Sequence, residues 1–546
     1  MSNPVDRPRR RFLQHSAFAG GLALIGLPGI LRAQQAPALI AADGARPMAN
    51  QGLKIGDVLS DRAIVWSRAD REARMLVEWS VHENFAGATE VPGPHALAVT
   101  DFTSRVDLSG LPSDAEVFVR VLYESLDSGK ARSEPVVGRF RTAPRRRRNV
   151  RFLWSGDTAG QGWGINPDIG GMTTYETMRR TGADFFVHSG DTIYADGPML
   201  DQVPLGNGTI WRNAFLDQVP AKRKVAETLD DFRGAHLYNL FDENMRRFHA
   251  EVPQIWQWDD HETLNNWSDS KDLTADPRYT EKRVQTLAAR AGRAFLEYAP
   301  LRWHPQDESE RVYRLIPYGG DLDVFVLDMR SYRGPNSFNR QPAPGADTAF
   351  LGRTQLDWLK RNLKASRATW KAIAADMPIG LLVGDGKDAQ GRDQFEAVAN
   401  GDGPALGREF EFAELLSFIK REGIANVVWF TADVHYTAAH FYDPRRAQFR
   451  DFDPFWEFVS GPLNAGTFGP NALDNTFGPQ VVFVKAPPAG QANLPPSAGM
   501  QFFGQVDIDH RSKEMLVSLK DMSGATLFSQ RLEARPGRGR GRWEDD

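Results

Sequence analysis

Carboxylate, imidazole and phenol groups recur in this chain at the points where apolar segments end. The stretch FFVHSGDTIYADG (185–197) has three apolar residues, then Gly190-Asp191, then Tyr194. A buried strand that ends in Gly-Asp places the carboxylate at the carboxyl edge of a sheet, where open α/β folds hold their ligands. Asp191 at that edge is suited to bridge two metal ions, and Tyr194 to bind one of them. The alternative is a strand followed by an ordinary Asp-containing turn.

Three more apolar segments end in the same kinds of group. They are VRFLWS before Gly156-Asp157, IWQW before Asp259-Asp260-His261-Glu262, and NVVWFT before Ala432-Asp433-Val434-His435. Taken alone, an Asp after a strand is usually a turn residue or a helix cap. Four such strand ends place oxygen and nitrogen donors at one edge of a sheet, and the clustered negative charges need a cation to offset their repulsion. The pattern therefore predicts a metal centre.

The elements that position these groups follow from hydrophobic periodicity. Between 149 and 533 the chain alternates apolar segments with helical patterns, which predicts a layered α/β domain. Asp157 and Asp191 are 34 residues apart, close to the length of one βαβ unit, so both carboxylates fit neighbouring strand ends. Helices are predicted at 173–180, 228–249, 282–298, 355–363 and 410–422.

The segments that flank this domain have different compositions. Residues 45–143 contain short β-branched or alternating segments separated by Gly, Pro, Asp and Ser, which predicts a small all-β sandwich of fibronectin or immunoglobulin type. We find no catalytic cluster there, so a packing or substrate-shaping role is expected. The arginine-rich stretch 144–149 is interpreted as a linker, and the Gly- and Arg-rich tail 534–546 is predicted to be disordered.

Residues 1–38 predict an export signal. Twin arginines precede Phe12-Leu13 and an apolar run that is short for spanning a bilayer, a pattern that resembles a Tat-type signal. The alternative is a short N-terminal anchor helix. The Tat machinery exports proteins that are already folded, so we expect a periplasmic or secreted protein that loads its metal beforehand. No other segment has the pattern of a transmembrane helix.

Composition narrows the function classes. The chain has 546 residues, 41% of them hydrophobic and 25% charged, which indicates an ordinary globular protein of more than one domain. Its formal charge of −4 falls to −8 without residues 1–33, which argues against a nucleic-acid-binding protein. The sequence contains no cysteine, so disulfides, thiolate ligands and a cysteine nucleophile are excluded.

The order of these motifs resembles the calcineurin-like metallophosphoesterases, and more closely their PhoD-like alkaline phosphatase branch. The matching pieces are FxxHSGDTIY, WDDHE with Asn265-Asn266-Trp267 after it, LDMRSYR (327–333), LGRTQLDWLK (351–360) and TADVHYTAAH (431–440). The segment 228–240 and the β-rich front are also similar, so the resemblance covers nearly the whole mature chain. It implies a four-layer α/β/β/α fold and an exported phosphoesterase that cleaves small-molecule phosphate esters by attack of a metal-bound hydroxide.

The resemblance also implies a role for each strand-end group. Asp191 would bridge two metal ions, and His261 would act at the leaving-group oxygen as general acid or electrostatic stabiliser. The other implied ligands divide between a first site, made of Asp157, Tyr194 and His435, and a second site, made of Asp260 and Asp433 with Asp376 beside them.

One residue departs from the pattern of the branch. Asp157 stands where the PhoD-like branch often has Cys, so the iron and calcium expected of the branch are joined here by zinc or manganese as alternatives. The Asp-rich second site suits a hard ion such as calcium.

Two other functions and one residue role stay open. A phosphodiesterase or phosphotriesterase acting on lipid or nucleotide headgroups would use the same ligands, and loops such as 198–227 and 380–407 would decide between them. A non-enzymatic exported binding protein with a degenerate site is the second alternative. Arg330 either binds a phosphate oxygen or pairs with a carboxylate, and we favour the structural pairing.

Overall fold

The computed structural model describes residues 43–127, 130–303 and 311–536. The predicted export signal, residues 1–38, and residues 537–546 of the predicted tail lie outside the described residues. The start of that tail is attached to the fold, because the main chain of Arg535 exchanges two hydrogen bonds with the side chain of Asn426. No helix in the described ranges is long and apolar enough to cross a bilayer.

The described chain contains 24 strands and six α-helices. The strands are β1 (Leu53–Gly56), β2 (Arg62–Arg68), β3 (Ala73–Ser80), β4 (Thr89–Ala96), β5 (Thr103–Ser109), β6 (Glu116–Ser125), β7 (Val136–Arg141), β8 (Val150–Ser155), β9 (Phe185–Ser189), β10 (Gln202–Pro204), β11 (Ile210–Arg212), β12 (Gln254–Gln257), β13 (Arg314–Tyr318), β14 (Leu322–Val326), β15 (Trp370–Ala374), β16 (Gly384–Lys387), β17 (Asp393–Phe395), β18 (Val427–Thr431), β19 (Thr437–Tyr442), β20 (Phe455–Val459), β21 (Pro479–Lys485), β22 (Phe502–Ile508), β23 (Met515–Asp521) and β24 (Thr526–Leu532). The helices are α1 (Thr173–Arg179), α2 (Leu229–Asn239), α3 (Glu243–Glu251), α4 (Val284–Tyr298), α5 (Arg353–Ala365) and α6 (Glu409–Arg421).

Two sheets pack face to face at the centre of the fold. One has nine strands in the order β24-β23-β22-β8-β9-β12-β1-β2-β5, and the other has seven in the order β13-β14-β15-β18-β20-β19-β21. Apolar side chains such as Phe152 and Val187 from the first sheet meet Phe430 and Phe458 from the second. Helices α1 and α3 cover the outer face of the nine-stranded sheet, and α5 and α6 cover that of the seven-stranded sheet. The predicted four-layer architecture is confirmed.

The strands that carry the candidate ligands run parallel to their neighbours. In the nine-stranded sheet β8, β9 and β12 are parallel, and in the seven-stranded sheet β14, β15, β18 and β20 are parallel. Because parallel strands end at the same edge, the residues that follow them lie together. Asp157, Asp191 and Asp260 follow strands of the first sheet, and Asp376 and Asp433 follow strands of the second.

The predicted β-sandwich is present, but one of its sheets continues into the α/β part of the chain. Strands β4, β3, β6 and β7 form a separate four-stranded sheet, whereas β1, β2 and β5 are the last three strands of the nine-stranded sheet. The join is a parallel pairing of β1 with β12, where Gly56 lies opposite Gln254. A buried ion pair of Asp57 with Arg314 lies beside it, with a contact of 2.7 Å. Strand periodicity does not specify pairing partners, so the shared sheet was not predicted.

The prediction of one continuous helix at 228–249 is wrong, because the structure has two helices there. Helix α2 ends at Asn239, and α3 begins after Asp242, whose side chain accepts a hydrogen bond of 2.8 Å from the main-chain nitrogen of Met245. Aspartate is a favoured N-cap, and its cap bond satisfies an N–H group that a continuous helix would have paired internally. The apolar periodicity runs through both helices and hides the break.

Buried imidazoles lie between α2, α3 and the nine-stranded sheet. His188, His236, His249 and Lys54 line a cavity of about 10 Å³. Burial lowers the pKa of His236 and of His249 well below the ordinary histidine value, with a smaller contribution from the charge of Lys54. Neither ring nitrogen of His249 has a hydrogen-bond partner among the residues described. Both imidazoles are therefore neutral in the folded protein.

We expect the protein to lose stability as the pH falls below about 6.5, the ordinary histidine pKa. Above that pH neither state binds the proton, whereas below it the unfolded chain takes up protons that the folded His236 and His249 exclude. Between pH 6.5 and 5.5 each imidazole should lower the free energy of unfolding by about 1 kcal/mol. Urea denaturation of the His249→Gln variant should show that much less loss than the wild type. The exposed His95, changed to Gln, is the control; identical pH slopes for all three proteins would refute the prediction.

Candidate metal centre

Four of the predicted metal ligands have left-handed backbone conformations. Their φ angles are 67° for Asp157, 52° for Asp191, 65° for Asp433 and 61° for His435. Such angles are uncommon outside glycine, although Asp and His adopt them more readily than most residues, and each costs about 1–3 kcal/mol. The surrounding structure therefore holds these turns in place at an energetic cost, a feature typical of functional sites.

Two glycines allow the turns to approach each other closely. Gly190, at φ +92°, lies against Asp259, and a Cβ atom there would collide with the side chain of that aspartate. Gly461 lies against the carboxylate of Asp157 in the same way. Any side chain at either position would push apart the loops that carry the acidic groups.

The first compact group of candidate ligands consists of Asp157, Asp191 and His435. One ligand atom from each lies within 4.8 Å of the others. The Tyr194 hydroxyl lies 2.8 Å from Nε2 of His435, and Nδ1 of His435 is hydrogen-bonded to the carbonyl oxygen of Gly466. Because a carbonyl can only accept, Nδ1 carries the proton, and Nε2 presents its lone pair to the group. All four side chains predicted for the first site, counting the bridging Asp191, thus lie together.

The second compact group consists of Asp191, Asp260 and His261, with the same 4.8 Å limit between ligand atoms. Asp191 therefore belongs to both groups, as a bridging carboxylate must. Oδ2 of Asp260 accepts a hydrogen bond from the main-chain nitrogen of Asn266, while Oδ1 has no partner in the described ranges. The predicted second-site ligand Asp433 is not part of either compact group formed by the described residues.

Asp433 and Asp376 nevertheless lie in the same acidic region, on the side of the seven-stranded sheet. Burial, followed by the carboxylates of Asp259 and Glu396, raises the pKa of Asp433 well above its usual range. Burial and Asp259 do the same to the pKa of Asp376. Both carboxylate oxygens of Asp376 are buried without a hydrogen-bond partner in the part of the chain that is described.

The chemistry of this cluster fits bound cations. Burial and the neighbouring carboxylates raise the pKa of Asp157 and of Asp191 well above the usual range. Neither carboxylate oxygen of Asp157 has a hydrogen-bond partner among the described residues. Buried carboxylates without partners are costly unless a cation compensates them. Oxygen donors with one imidazole and one phenol suit hard or borderline metal ions.

Arg330 is fully buried and pairs with carboxylates of the same cluster. Its Nε lies 2.5 Å from Oδ1 of Asp259, Nη1 contacts Glu396, and Nε lies 3.6 Å from Oδ2 of Asp376. Nη2 also contacts Asp259, so all three guanidinium nitrogens face carboxylates of the protein. The geometry agrees with the structural role favoured from the sequence.

Asp196 is a residue of the site that sequence reasoning missed. Its Oδ1 lies 2.6 Å from Nδ1 of His261, and its Oδ2 accepts a hydrogen bond of 2.8 Å from the main-chain nitrogen of Asn265. Burial acts to lower the pKa of His261, but the carboxylates of Asp196 and Asp260 outweigh it and raise this pKa to about 10. Asp196 stands five residues after Asp191 in one motif. This closeness to Asp191 could have marked Asp196 as a site residue, but it gave no indication that the partner is His261.

Glu262 is a second residue that was missed, and it joins two ligand-bearing loops. It accepts hydrogen bonds of 2.6 Å from both the main-chain nitrogen and the hydroxyl of Thr192, and one of 2.8 Å from the main-chain nitrogen of Asp259. Thr192 follows Asp191, and Asp259 precedes Asp260. Glu262 thereby fixes the two aspartates of the second group relative to each other.

Known proteins are similar to this chain in both sequence and fold. The model of the PhoD-like phosphatase family matches residues 152–519, and that of the PhoD-like phosphatase N-terminal domain matches residues 34–144. Alkaline phosphatase D of Bacillus subtilis (strain 168) is 27% identical over 456 residues, which are 80% of this chain and 72% of that protein.

Two solved structures have the same architecture. A structure of PhoD superimposes with a TM-score of 0.65 at 19% identity, over 91% of this chain and 94% of that one. Purple acid phosphatase PPD1 from yellow lupin (Lupinus luteus) seeds gives a TM-score of 0.52 at 12% identity, over 90% of this chain and 74% of that one. This chain thus shares its fold with PhoD and with a purple acid phosphatase.

The chain belongs to the PhoD-like phosphatase family, because the family model spans most of its length. It is accordingly an enzyme that hydrolyses phosphoric esters. The resemblance inferred from the motifs is confirmed.

Proposed function

We propose that this protein is an exported phosphatase that hydrolyses small-molecule phosphate esters at a centre of two metal ions. The observation that carries this proposal is the position of Asp191, which belongs to both compact ligand groups. A single carboxylate shared between two groups is the arrangement that holds two cations close together. The name of the Bacillus subtilis relative, alkaline phosphatase D, supports the choice of reaction.

The proposed ligands follow the two halves of the cluster. Asp157, Tyr194 and His435 complete the first site, and Asp260 and Asp433 hold the second. Cations bound there would polarise a phosphoryl group and lower the pKa of a water molecule. A Ser or Thr nucleophile is then not needed. We propose iron in the first site and calcium in the second, with zinc or manganese as alternatives.

His261 is the proposed general acid. Its Nδ1 is hydrogen-bonded to the carboxylate of Asp196, which fixes the ring and leaves Nε2 as the nitrogen that faces the cluster. The same carboxylate stabilises the protonated imidazole. Nε2 can then donate a proton to the leaving-group oxygen as the ester bond breaks.

Export and domain organisation belong to the same proposal. Residues 1–38 would direct the folded protein to the Tat machinery and be removed, leaving a periplasmic or secreted enzyme. The mature chain would then comprise the sandwich at 45–143 and the catalytic domain at 149–533. Residues 534–546 would form the tail.

The test is elemental analysis of the purified, signal-cleaved protein, combined with its visible spectrum and its activity. We expect two metal ions per chain, a tyrosinate-to-iron absorption band, and faster release of p-nitrophenol from p-nitrophenyl phosphate than from the bis(p-nitrophenyl) diester. Two metal ions per chain without this absorption band would indicate zinc or manganese in place of iron. Faster cleavage of the diester would favour a phosphodiesterase. A protein that takes up none of these metals would overturn the enzyme and favour a binding protein.

A further inference from the structure

The two halves of the metal centre are attached to different sheets. Asp157, Asp191 and Asp260 follow strands of the nine-stranded sheet, whereas Asp376 and Asp433 follow strands of the seven-stranded sheet. The separation between the sheets therefore sets the distance between the two sets of carboxylates. Apolar packing between sheets tolerates small sliding movements, whereas a hydrogen bond that crosses the interface fixes one position.

Gln257 makes such a crossing at the strand end that precedes Asp260. Its Nε2 donates hydrogen bonds of 2.9 Å each to the carbonyl oxygens of Leu327 and Ala374. Gln257 is the last residue of β12 and lies three residues before Asp260. Ala374 is the last residue of β15 and lies two residues before Asp376. One side chain thus connects the ends of two ligand-bearing strands across the sandwich.

The two hydrogen bonds that Gln257 donates come with an unfavourable buried acceptor in the same side chain. Both partners are carbonyl oxygens, so within the Gln257 side chain only the NH₂ group can bond to them. The Ala374 carbonyl also accepts a hydrogen bond of 3.0 Å from the main-chain nitrogen of Leu327. Its Oε1 is then left buried, without a hydrogen-bond partner in the described part of the chain. A buried acceptor without a partner is unfavourable. An apolar side chain of the same length would avoid that cost, which indicates that the two donated bonds have a function that offsets it.

Trp154 makes a second hydrogen bond between the two sheets. Its indole Nε1 donates a hydrogen bond of 3.2 Å to the carbonyl oxygen of Thr431. Trp154 lies three residues before Asp157, and Thr431 lies two residues before Asp433. In both crossings the donor lies three residues before a proposed ligand of one sheet, and an acceptor lies two residues before a proposed ligand of the other.

We propose that Gln257 is a positioning residue that sets the spacing between the two halves of the metal centre. Through Ala374 and Leu327 it holds the end of the seven-stranded sheet, and with it Asp376 and Asp433, at a fixed distance from Asp260. Trp154 supports the same spacing between Asp157 and Asp433. This role rests on the proposed function, because it acts on metal binding at the same centre.

The experiment compares two methionine substitutions in one strand. Gln257→Met removes the crossing, while Gln254→Met serves as the matched control. Both glutamines are 0% exposed and lie in β12, but Gln254 donates to the carbonyl oxygen of Val252, away from the centre. Mn²⁺ and Ca²⁺ are titrated into the metal-depleted full-length mature proteins, and Tm, kcat and KM are measured on the reloaded enzymes.

Both variants are expected to lower Tm, since each loses two buried side-chain hydrogen bonds. Only Gln257→Met should weaken the second metal-binding step, by about 10–100-fold, the range found when a residue that orients a ligand is removed. We also expect kcat to fall while KM stays within the wild-type error, because substrate binding groups are unchanged. A purely structural role would move Tm alone.

Two results would overturn the positioning role. One is wild-type metal affinity in Gln257→Met, and the other is an equal loss of affinity in Gln254→Met. If Gln257→Met does not fold, Trp154→Phe removes the parallel hydrogen bond and should weaken metal binding in the same way. An active, metal-loaded wild type with unaffected variants refutes only the positioning role, whereas a wild type without metal refutes the proposed function itself.

Discussion

Replacing Asp191 by Asn is expected to remove metal from both sites and to abolish turnover. The carboxylate of Asp191 belongs to both compact ligand groups, and an uncharged amide would leave each cation with weaker coordination. We expect kcat to fall at least about 10³-fold, the upper end of the cost of losing one electrostatic contact to a transition state. Elemental analysis should show less than one metal ion per chain.

The control for this variant is Asp201→Asn, which removes an aspartate whose side chain is 63% exposed and paired with Arg223. It should retain wild-type metal content and activity. An Asp191→Asn protein that keeps two metal ions and loses only turnover would show that Asp191 is not a bridging ligand. A protein that loses one ion and keeps the other would assign Asp191 to a single site.

Replacing His261 by Ala is expected to leave both metals in place and to lower kcat by about 10²–10⁴-fold, the usual contribution of a general acid. Nδ1 of His261 is held by Asp196, and Nε2 lies 3.9 Å from Oδ1 of Asp260. The loss should be larger for phenyl phosphate than for p-nitrophenyl phosphate, because the poorer leaving group depends more on protonation.

Asp196→Asn provides a graded comparison for His261. It keeps the imidazole but weakens its orientation, so kcat should fall about 10–100-fold with metal content unchanged. His261 also lies in the second compact group, so a competing role as ligand is available to it. Loss of a metal ion from His261→Ala would establish that role and remove His261 as the general acid.

Much of the candidate site was predictable, because strand ends are readable in the sequence. An apolar run followed by Gly-Asp or Asp-His marks the point where a parallel strand stops, and parallel strands bring their ends to one edge. Asp157, Asp191 and His435 were therefore expected at one sheet edge, and the resemblance to the family then assigned them to one site. The relation of Asp196 to His261 could not be predicted, because Asp196 lies in the loop beyond the strand end and only the folded loop brings its side chain to His261.

The limits of the fold prediction have a similar cause. Apolar periodicity reports which face of an element is buried, but not where a cap interrupts it, so the break at Asp242 was missed. Periodicity likewise identifies strands without identifying their neighbours. The all-β character of the front segment was predictable, whereas the pairing of β1 with β12 was not.

That pairing has a consequence for how the protein loses its structure. With β1 hydrogen-bonded to β12 and Asp57 buried against Arg314, the front segment has no boundary along which it could detach. Breaking a buried ion pair alone costs about 3–5 kcal/mol. Heating should therefore melt the sandwich and the catalytic part in a single cooperative transition. A gene fragment that starts after the arginine-rich linker would yield an aggregating polypeptide with an open sheet edge, because its β12 would have no neighbour on one side.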